Sequence, residues 1–150
     1  MYYIGIDVGK NGGIAIIYEN GERVTATAVP SSDTTLKDVC RILKNSVVTL
    51  EKVASRPKQG VTSSFNFGAE YGYIRGVIEA NRLQYNEVTP QKWKRYFGVT
   101  ADKQTSIAKA HALFPKVCLR KTSRCRTDHD GMAEALLIAE YGRKFFSKEH

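Results

Sequence analysis

The chain has 150 residues and a mass of 16.8 kDa, about the length of one domain, and a chain of this size removes roughly 68 to 70% of its unfolded surface from water on folding. Hydrophobic residues make up 42% and charged residues 25%, which excludes disordered and low-complexity classes. Lysine and arginine outnumber aspartate and glutamate by 23 to 15, and the net charge of +8 favours nucleic acid as a partner over an anionic membrane.

The sequence also lacks the features of exported and membrane proteins. No run approaches the 18 or so apolar residues of a membrane span, and the amino end lacks the basic and apolar regions of a signal peptide. Three cysteines form no dense disulfide framework, which is typical of a reducing compartment. We therefore expect an intracellular, cytoplasmic protein with no membrane partner.

The first part of the chain predicts three antiparallel strands. Two apolar runs, Tyr2 to Ile6 and Ile14 to Tyr18, are separated by a glycine-rich turn. A third run, Arg23 to Val29, alternates small apolar residues with threonine after the turn signal Asn20-Gly21. These runs predict a meander at the start of the fold.

A crossover follows the meander. Asp33 or Thr34 can cap a helix whose apolar positions recur at helical spacing from Leu36 to Leu43. The β-branched run Val47 to Val53 then predicts a strand, and a strand reached through a helix lies parallel to its neighbour.

The rest of the chain alternates helices with one more strand. In order we predict a helix over about Phe67 to Asn81, a strand over Tyr85 to Val88, a short helix from Pro90, a helix over Asp102 to Phe114, a basic loop over Lys116 to Arg126 and a helix over about His129 to Phe145. With no repeat or linker, the order predicts one α/β domain over residues 1 to 150, with a mixed sheet flanked by helices.

Two acidic residues lie in or beside apolar strands. Asp7 ends the first strand, where a carboxylate leaves the core yet stays tethered to rigid backbone and is well placed for chemistry; the alternative is an Asx-type turn residue that bonds nearby amides. Glu51 interrupts an apolar run, where an ionised side chain loses several kcal/mol of hydration unless it is paired or metal-bound. The alternative is a strand end, with Glu51 facing water against Lys52 or Arg56.

Two further acids open the last helix. Asp130 and Glu134 stand four apart, so both lie on one face, which continues through Leu137 and Tyr141 toward the predicted sheet. An acid at a helix start also complements the positive helix terminus, which is an alternative role for Asp130. Together the four carboxylates can converge on hard divalent cations, and a pair of such ions roughly 4 Å apart supports phosphodiester hydrolysis.

These residues resemble the RuvC-type Holliday-junction resolvases of the RNase H-like superfamily, in particular their phage-encoded relatives. The opening Ile4-Gly5-Ile6-Asp7-Val8-Gly9 followed by Gly13 resembles the family start GIDPG…G, with Val8 in place of proline. Further motifs resemble the family in order along the chain, namely Val48 to Val53, Arg75-Gly76, Pro90 with Lys92, Lys94 and Lys103, and the closing helix from Asp130 to Leu136.

The closing helix departs from the family pattern D-x-x-D-A-L. Its acids are four apart rather than three, and the second is glutamate. Alignment on Ala133-Glu134-Ala135-Leu136 puts Gly131 where the third acid of the family usually stands. Asp128, His129 or Asp130 would then supply that metal ligand, and we favour Asp130.

The resemblance implies a five-stranded mixed sheet with helices on both faces and a homodimer with two active sites. It also implies Mg²⁺- or Mn²⁺-dependent nicking of branched DNA such as four-way junctions and forks, leaving 5′-phosphate and 3′-hydroxyl ends. We expect Asp7 to bridge two metal ions, Glu51 to hold one, and Asp130 and Glu134 to complete the other shell. Lys103 is a candidate to steady the scissile phosphate, or else a solvated helix lysine.

Basic and hydroxyl side chains supply candidates for DNA contacts. These are Arg56, Lys58, Ser63, Ser64, Phe65, Arg75, Lys92, Lys94, Arg120, Lys121 and Arg124. Phe65 and Phe67 are candidates for stacking on an unpaired base, against the alternative that they belong to the core, and Arg75 alternatively lies only on an exposed helix face. Trp93 is expected in the core.

Three other functions remain open. One is a branched-DNA-binding protein without cleavage. Another is the phosphate-binding domain of an actin-like ATPase, although 150 residues supply only one of the two domains such enzymes need. The third is a zinc or DNA-binding module on four residues of ligand type, His111, Cys118, Cys125 and His129, whose spacing lacks a tight Cys-x-x-Cys knuckle.

Overall fold

Over the residues that it describes, the computed structural model contains a sheet of five strands in the order β3-β2-β1-β4-β5. The structure describes residues 1–28, 34–54 and 57–147. The strands are β1 (Tyr2–Asp7), β2 (Gly13–Tyr18), β3 (Val24–Ala28), β4 (Ser46–Glu51) and β5 (Gln84–Val88). Strands β1 to β3 pair antiparallel, and β4 pairs parallel with both β1 and β5. The predicted mixed sheet is confirmed.

In the described part of the chain, five helices cover the two faces of this sheet. They are α1 (Thr34–Ile42), α2 (Val61–Ala80), α3 (Pro90–Phe97), α4 (Lys103–Leu113) and α5 (Asp130–Phe145). One core cluster joins the sheet to α3, α4 and α5, and a second joins its other face to α1 and α2. No helix in the described part of the chain is both long and apolar enough to cross a membrane.

Alternation along the strands decides which side chains meet α5. Tyr3 packs in the α5 cluster and Ile4 in the opposite one, and Val47 and Val48 divide in the same way. Since side chains alternate with a period of two, the odd-numbered residues of β1 and β4 face α5. Asp7 and Glu51, the last residues of the two strands, therefore belong to that face.

Helix α5 lies unusually close to the sheet because small residues separate them. A Cβ on Gly5 would overlap the backbone of Ala135 and Ala139, and one on Gly13 would meet Gly131. At the other end of the contact, Gly142 leaves room for Thr49. The close approach brings the first turns of α5 down to the strand ends.

We expect Gly5→Ala to lower the free energy of unfolding by about 3 kcal/mol, because the clashing atoms are backbone and the packed helix cannot yield cheaply. Gly68→Ala is the matched control. Gly68 lies within exposed α2 with no atom near its Cβ position, so this change should stabilise the chain by about 0.5 to 1 kcal/mol. Chemical denaturation measures both, and equal stabilities for the two variants would refute the close packing.

Several predicted boundaries were wrong. Helix α2 begins at Val61 rather than near Phe67, because its first turns do not pack on the sheet and so show no apolar period. Its buried residues are Ile74 and Ile78, near its end. Strand β4 ends at Glu51, not Val53. Strand β3 begins at Val24, and the predicted end at Val29 lies outside the described residues, as does the alternative cap Asp33.

Candidate active site

Two neighbouring strand ends bring the first two acids together. In the parallel pairing of β1 with β4, Ile6 lies opposite Leu50, so Asp7 and Glu51 follow side by side at the same edge. Gly9, with φ +132°, then turns the chain away from β1 in a conformation that a side chain would strain. Glu51 is only 8% exposed. The alternative that Glu51 faces water at a strand end is wrong, although the strand does end there.

Helix α5 supplies the third and fourth acids. Its first residue is Asp130, and Glu134 lies one turn later, 4% exposed and near enough to Asp7 to raise the pKa of that acid. Leu137 and Tyr141 are buried, which confirms the predicted inward face. The site thus gathers Asp7, Glu51 and Glu134 from three elements that are distant in sequence, with Asp130 at its more exposed margin.

Lys103, the first residue of α4, provides a positive charge beside these acids. Its Nζ donates to Glu134 Oε1 at 3.1 Å and lies 3.6 Å from Asp130 Oδ2. The side chain remains 55% exposed, so its amine stands between the acids and solvent. It is not simply a solvated helix lysine.

Trp93 makes a contact that sequence reasoning missed. Its indole Nε1 donates to Glu51 Oε2 at 2.7 Å, and the side chain is fully buried. The core position was predicted and is confirmed, but the hydrogen bond was not. A buried indole N–H needs a hydrogen-bond acceptor. The sequence signal for this contact was therefore Trp93 itself, a tryptophan expected in the core and placed five residues beyond the end of β5.

Burial and crowding disfavour the ionised forms of the two strand-end acids. Burial raises the pKa of Asp7 well above its ordinary value, and the carboxylates of Glu51 and Glu134 raise it further, with Lys103 acting in the opposite direction. Burial also raises the pKa of Glu51, which the Trp93 hydrogen bond partly offsets. Burial lowers the pKa of Lys103, but Glu134, Asp130 and Asp7 outweigh it and raise that pKa.

These shifts predict a pH-dependent stability. Because the folded chain holds protons at Asp7 and Glu51 more tightly than the unfolded chain, the free energy of unfolding without metal should fall as pH rises from the ordinary values of 3.8 and 4.5 through the raised ones. A divalent cation that binds the ionised acids should restore stability increasingly across that window. Thermal melts from pH 4 to 8, with and without Mg²⁺, measure this dependence. Without metal, Asp7→Asn should flatten the fall of stability with pH. An unaltered pH dependence in that variant would contradict the assignment of the raised pKa to Asp7.

The donor chemistry fits a hard divalent cation. All four acids offer oxygen ligands, and Lys103 alone does not offset the crowding that raises the pKa of Asp7. Among the described residues, however, no three histidine, cysteine, aspartate or glutamate side chains are already grouped to hold a metal ion. Binding would therefore require the carboxylates to draw together. Asp130 and Lys103 are the more exposed members of the site, with side chains 36% and 55% exposed.

Asp130 is the best placed of the three alternatives for the third acid. Asp128 Oδ2 is engaged by His111 Nε2 at 2.7 Å, and His129 Nδ1 accepts from the backbone of Met132 as the cap of α5. These contacts also occupy both histidines of the zinc alternative, and no zinc-type cluster is found among the described residues.

The DNA-contact candidates are spread over several surfaces. Arg56 lies outside the described residues, while Lys58 is exposed. Ser63, Ser64 and Phe65 lie in the first turns of α2, not in a loop as predicted, and Phe65 is 75% exposed. Further along, the exposed candidates are Lys92 on α3 and Arg120, Lys121 and Arg124 in the predicted basic loop. Lys94 is partly buried, its Nζ 5.5 Å from the Trp93 ring centre.

Two candidates have intramolecular roles. Arg75 donates to the Tyr85 hydroxyl at 3.2 Å and lies 3.7 Å from Glu79 and 3.9 Å from Glu87. Phe67 is partly buried against the α1/α2 core cluster, which favours the core alternative for it. The side of α2 that carries Arg75 is thus held to β5 by polar contacts, with Tyr71 also hydrogen-bonded to Glu87.

Comparisons with known proteins give the fold. No protein-family model matches the sequence, and no curated protein matches it by sequence. Among solved structures, RuvC of T. thermophilus in complex with a Holliday junction substrate matches with a TM-score of 0.64 at 12% identity, covering 99% of both chains. A second Thermus thermophilus RuvC structure matches with a TM-score of 0.58 at 17% identity, covering 96% of both chains.

The yeast mitochondrial Holliday junction resolvase Ydc2 also matches, with a TM-score of 0.56 at 14% identity, covering 94% of this chain and 77% of that one. These likenesses extend over nearly all of the chain. The chain therefore has the RNase H-like fold of the RuvC-type Holliday-junction resolvases.

Proposed function

We propose that the protein is a metal-dependent endonuclease that nicks Holliday junctions and other branched DNA by phosphodiester hydrolysis. The observation that carries this proposal is the meeting of Asp7, Glu51 and Glu134 at one edge of the sheet, on the scaffold of a junction-resolvase fold. Crowded carboxylates of this kind are costly to bury unless a cation compensates them.

The four acids would hold Mg²⁺, with Mn²⁺ able to substitute, and we propose two ions per site. Bound ions would activate water and stabilise the leaving oxygen, giving 5′-phosphate and 3′-hydroxyl ends. Asp7, whose pKa Glu51 and Glu134 both raise, would hold both ions, and Asp130 would act with Glu134 as a further ligand. Lys103, whose amine is exposed beside Glu134, would approach the scissile phosphate.

We also propose a homodimer with two sites. Helix α2 supports this idea, because its buried residues are few and Val61 and Phe65 near its start are largely exposed. Light scattering of the purified chain measures the assembly directly, and a mass near 16.8 kDa at micromolar concentration would refute it.

The test of function is cleavage of labelled four-way junction, fork and linear duplex with Mg²⁺ and with chelator. We expect metal-dependent nicks in the branched substrates and little cutting of duplex. Tight junction binding without nicking would replace the proposal with a branched-DNA-binding role. ATP binding without nuclease activity would replace it with the actin-like alternative.

A further inference from the structure

The buried indole N–H of Trp93 donates its hydrogen bond to a carboxylate rather than to a backbone carbonyl. Its Nε1 lies 2.7 Å from Oε2 of Glu51, one of the acids expected to hold metal. The bond holds one oxygen of Glu51 against a fixed donor. It therefore restricts the orientation of the carboxylate that is expected to coordinate the metal.

The donor sits on a rigid support. Val88, the last residue of β5, pairs with Glu51 across the sheet, and α3 starts two residues later at Pro90. Thr89 caps that helix by accepting from the backbone of Lys92. Trp93 itself is 0% exposed and belongs to the α5 core cluster, so its ring cannot follow Glu51 if the carboxylate moves.

We propose that Trp93 is a positioning residue that presents Glu51 to the divalent cation, and that its fluorescence reports occupancy of the site. This inference rests on the proposed function. Trp93 is the only tryptophan in the sequence, so intrinsic fluorescence has a single source, directly bonded to one expected ligand. Hydrogen-bond partners of metal ligands typically contribute about 10- to 100-fold to metal affinity.

The experiment measures Mg²⁺ affinity by calorimetry in the native chain and in Trp93→Phe, which keeps an aromatic ring but removes the donor. We expect at least about 10-fold weaker binding. Phe97→Leu is the matched control, because Phe97 is buried on the same helix in the same cluster. It should stay within about twofold of the native affinity, because it is a buried residue of the same helix without the bond to Glu51.

A double-mutant cycle separates positioning from general destabilisation. In the Glu51→Gln background, Trp93→Phe should weaken Mg²⁺ binding no further, because it acts through Glu51. An undiminished further loss in that background would overturn the inference. So would native affinity in Trp93→Phe when Glu51→Gln binds weakly, an outcome that leaves the proposed function standing.

Native fluorescence gives a second readout that does not depend on the variants folding. Saturation with Mg²⁺ should shift or quench the emission, with a midpoint equal to the calorimetric one. An unchanged spectrum at saturation would overturn the inference alone. A native chain that neither binds Mg²⁺ nor nicks junctions would overturn the proposed function and this inference together.

Discussion

Replacing Asp7 with asparagine should abolish junction nicking, lowering its rate by about 10³-fold or more, while junction affinity stays within about twofold. Asp7 lies beside two other acids, since the carboxylates of Glu51 and Glu134 each raise its pKa. Metal stabilisation of a phosphoryl transition state is worth several kcal/mol, and each 1.4 kcal/mol is tenfold in rate. Single-turnover nicking with Mg²⁺ gives the rate, and fluorescence anisotropy without metal gives the affinity.

Asp38→Asn is the charge-matched control for this prediction. Asp38 is exposed on α1, where it pairs with Arg41, and α1 packs on the sheet face opposite α5. Its nicking rate should equal the native rate. Comparable nicking rates for Asp7→Asn and Asp38→Asn would show that Asp7 does not belong to the active site. At neutral pH Asp7→Asn should also be more stable than the native chain, since it removes a buried charge that its neighbours repel.

Junction affinity should fall about 10³- to 10⁵-fold between 50 and 200 mM salt if six to ten phosphates are engaged. The net charge of +8 and the exposed basic loop residues Arg120, Lys121 and Arg124 would supply the contacts. Anisotropy titrations over this range measure the slope of log affinity against log salt. A flat response would contradict the electrostatic basis of binding.

Single substitutions locate the contacts. Lys121→Ala should weaken binding to all DNA substrates and reduce the salt slope by about one if it meets a phosphate. Arg41→Ala, which removes a charge paired with Asp38 on α1, is the control and should leave the slope unchanged. Equal slopes for both variants would place the DNA surface away from the basic loop.

The local sequence pattern was sufficient to predict the strands and helices that carry the four acids and the proximity of those acids. The apolar runs ending in Asp7 and Glu51 predicted two strands, and the crossover between them implied a parallel pair whose ends coincide. The spacing of Asp130 and Glu134 predicted one inward helix face, and Glu134 is buried there. These inferences succeed because the periodicities of strands and helices determine to which side each side chain points, whatever element packs against it.

Contacts between distant elements could not be predicted in this way. The bond from Trp93 to Glu51 depends on how α3 leaves β5, and the pairing of Lys103 with Glu134 depends on how α4 packs beside α5. The start of α2 was missed because an exposed helix lacks an apolar stripe. Arg75 was expected near DNA. Its contacts with a tyrosine and two glutamates were not predicted, because these partners come from another turn of α2 and from β5.

Crystals of the protein grown with Mn²⁺, examined for anomalous scattering, would test the metal site most directly. We predict ordered ions coordinated by Asp7 and Glu51, with Glu134 or Asp130 completing the contacts and the Lys103 amine displaced from Glu134. Manganese that binds elsewhere, while Asp7 and Glu51 stay free of it and Lys103 keeps its bond to Glu134, would contradict the account.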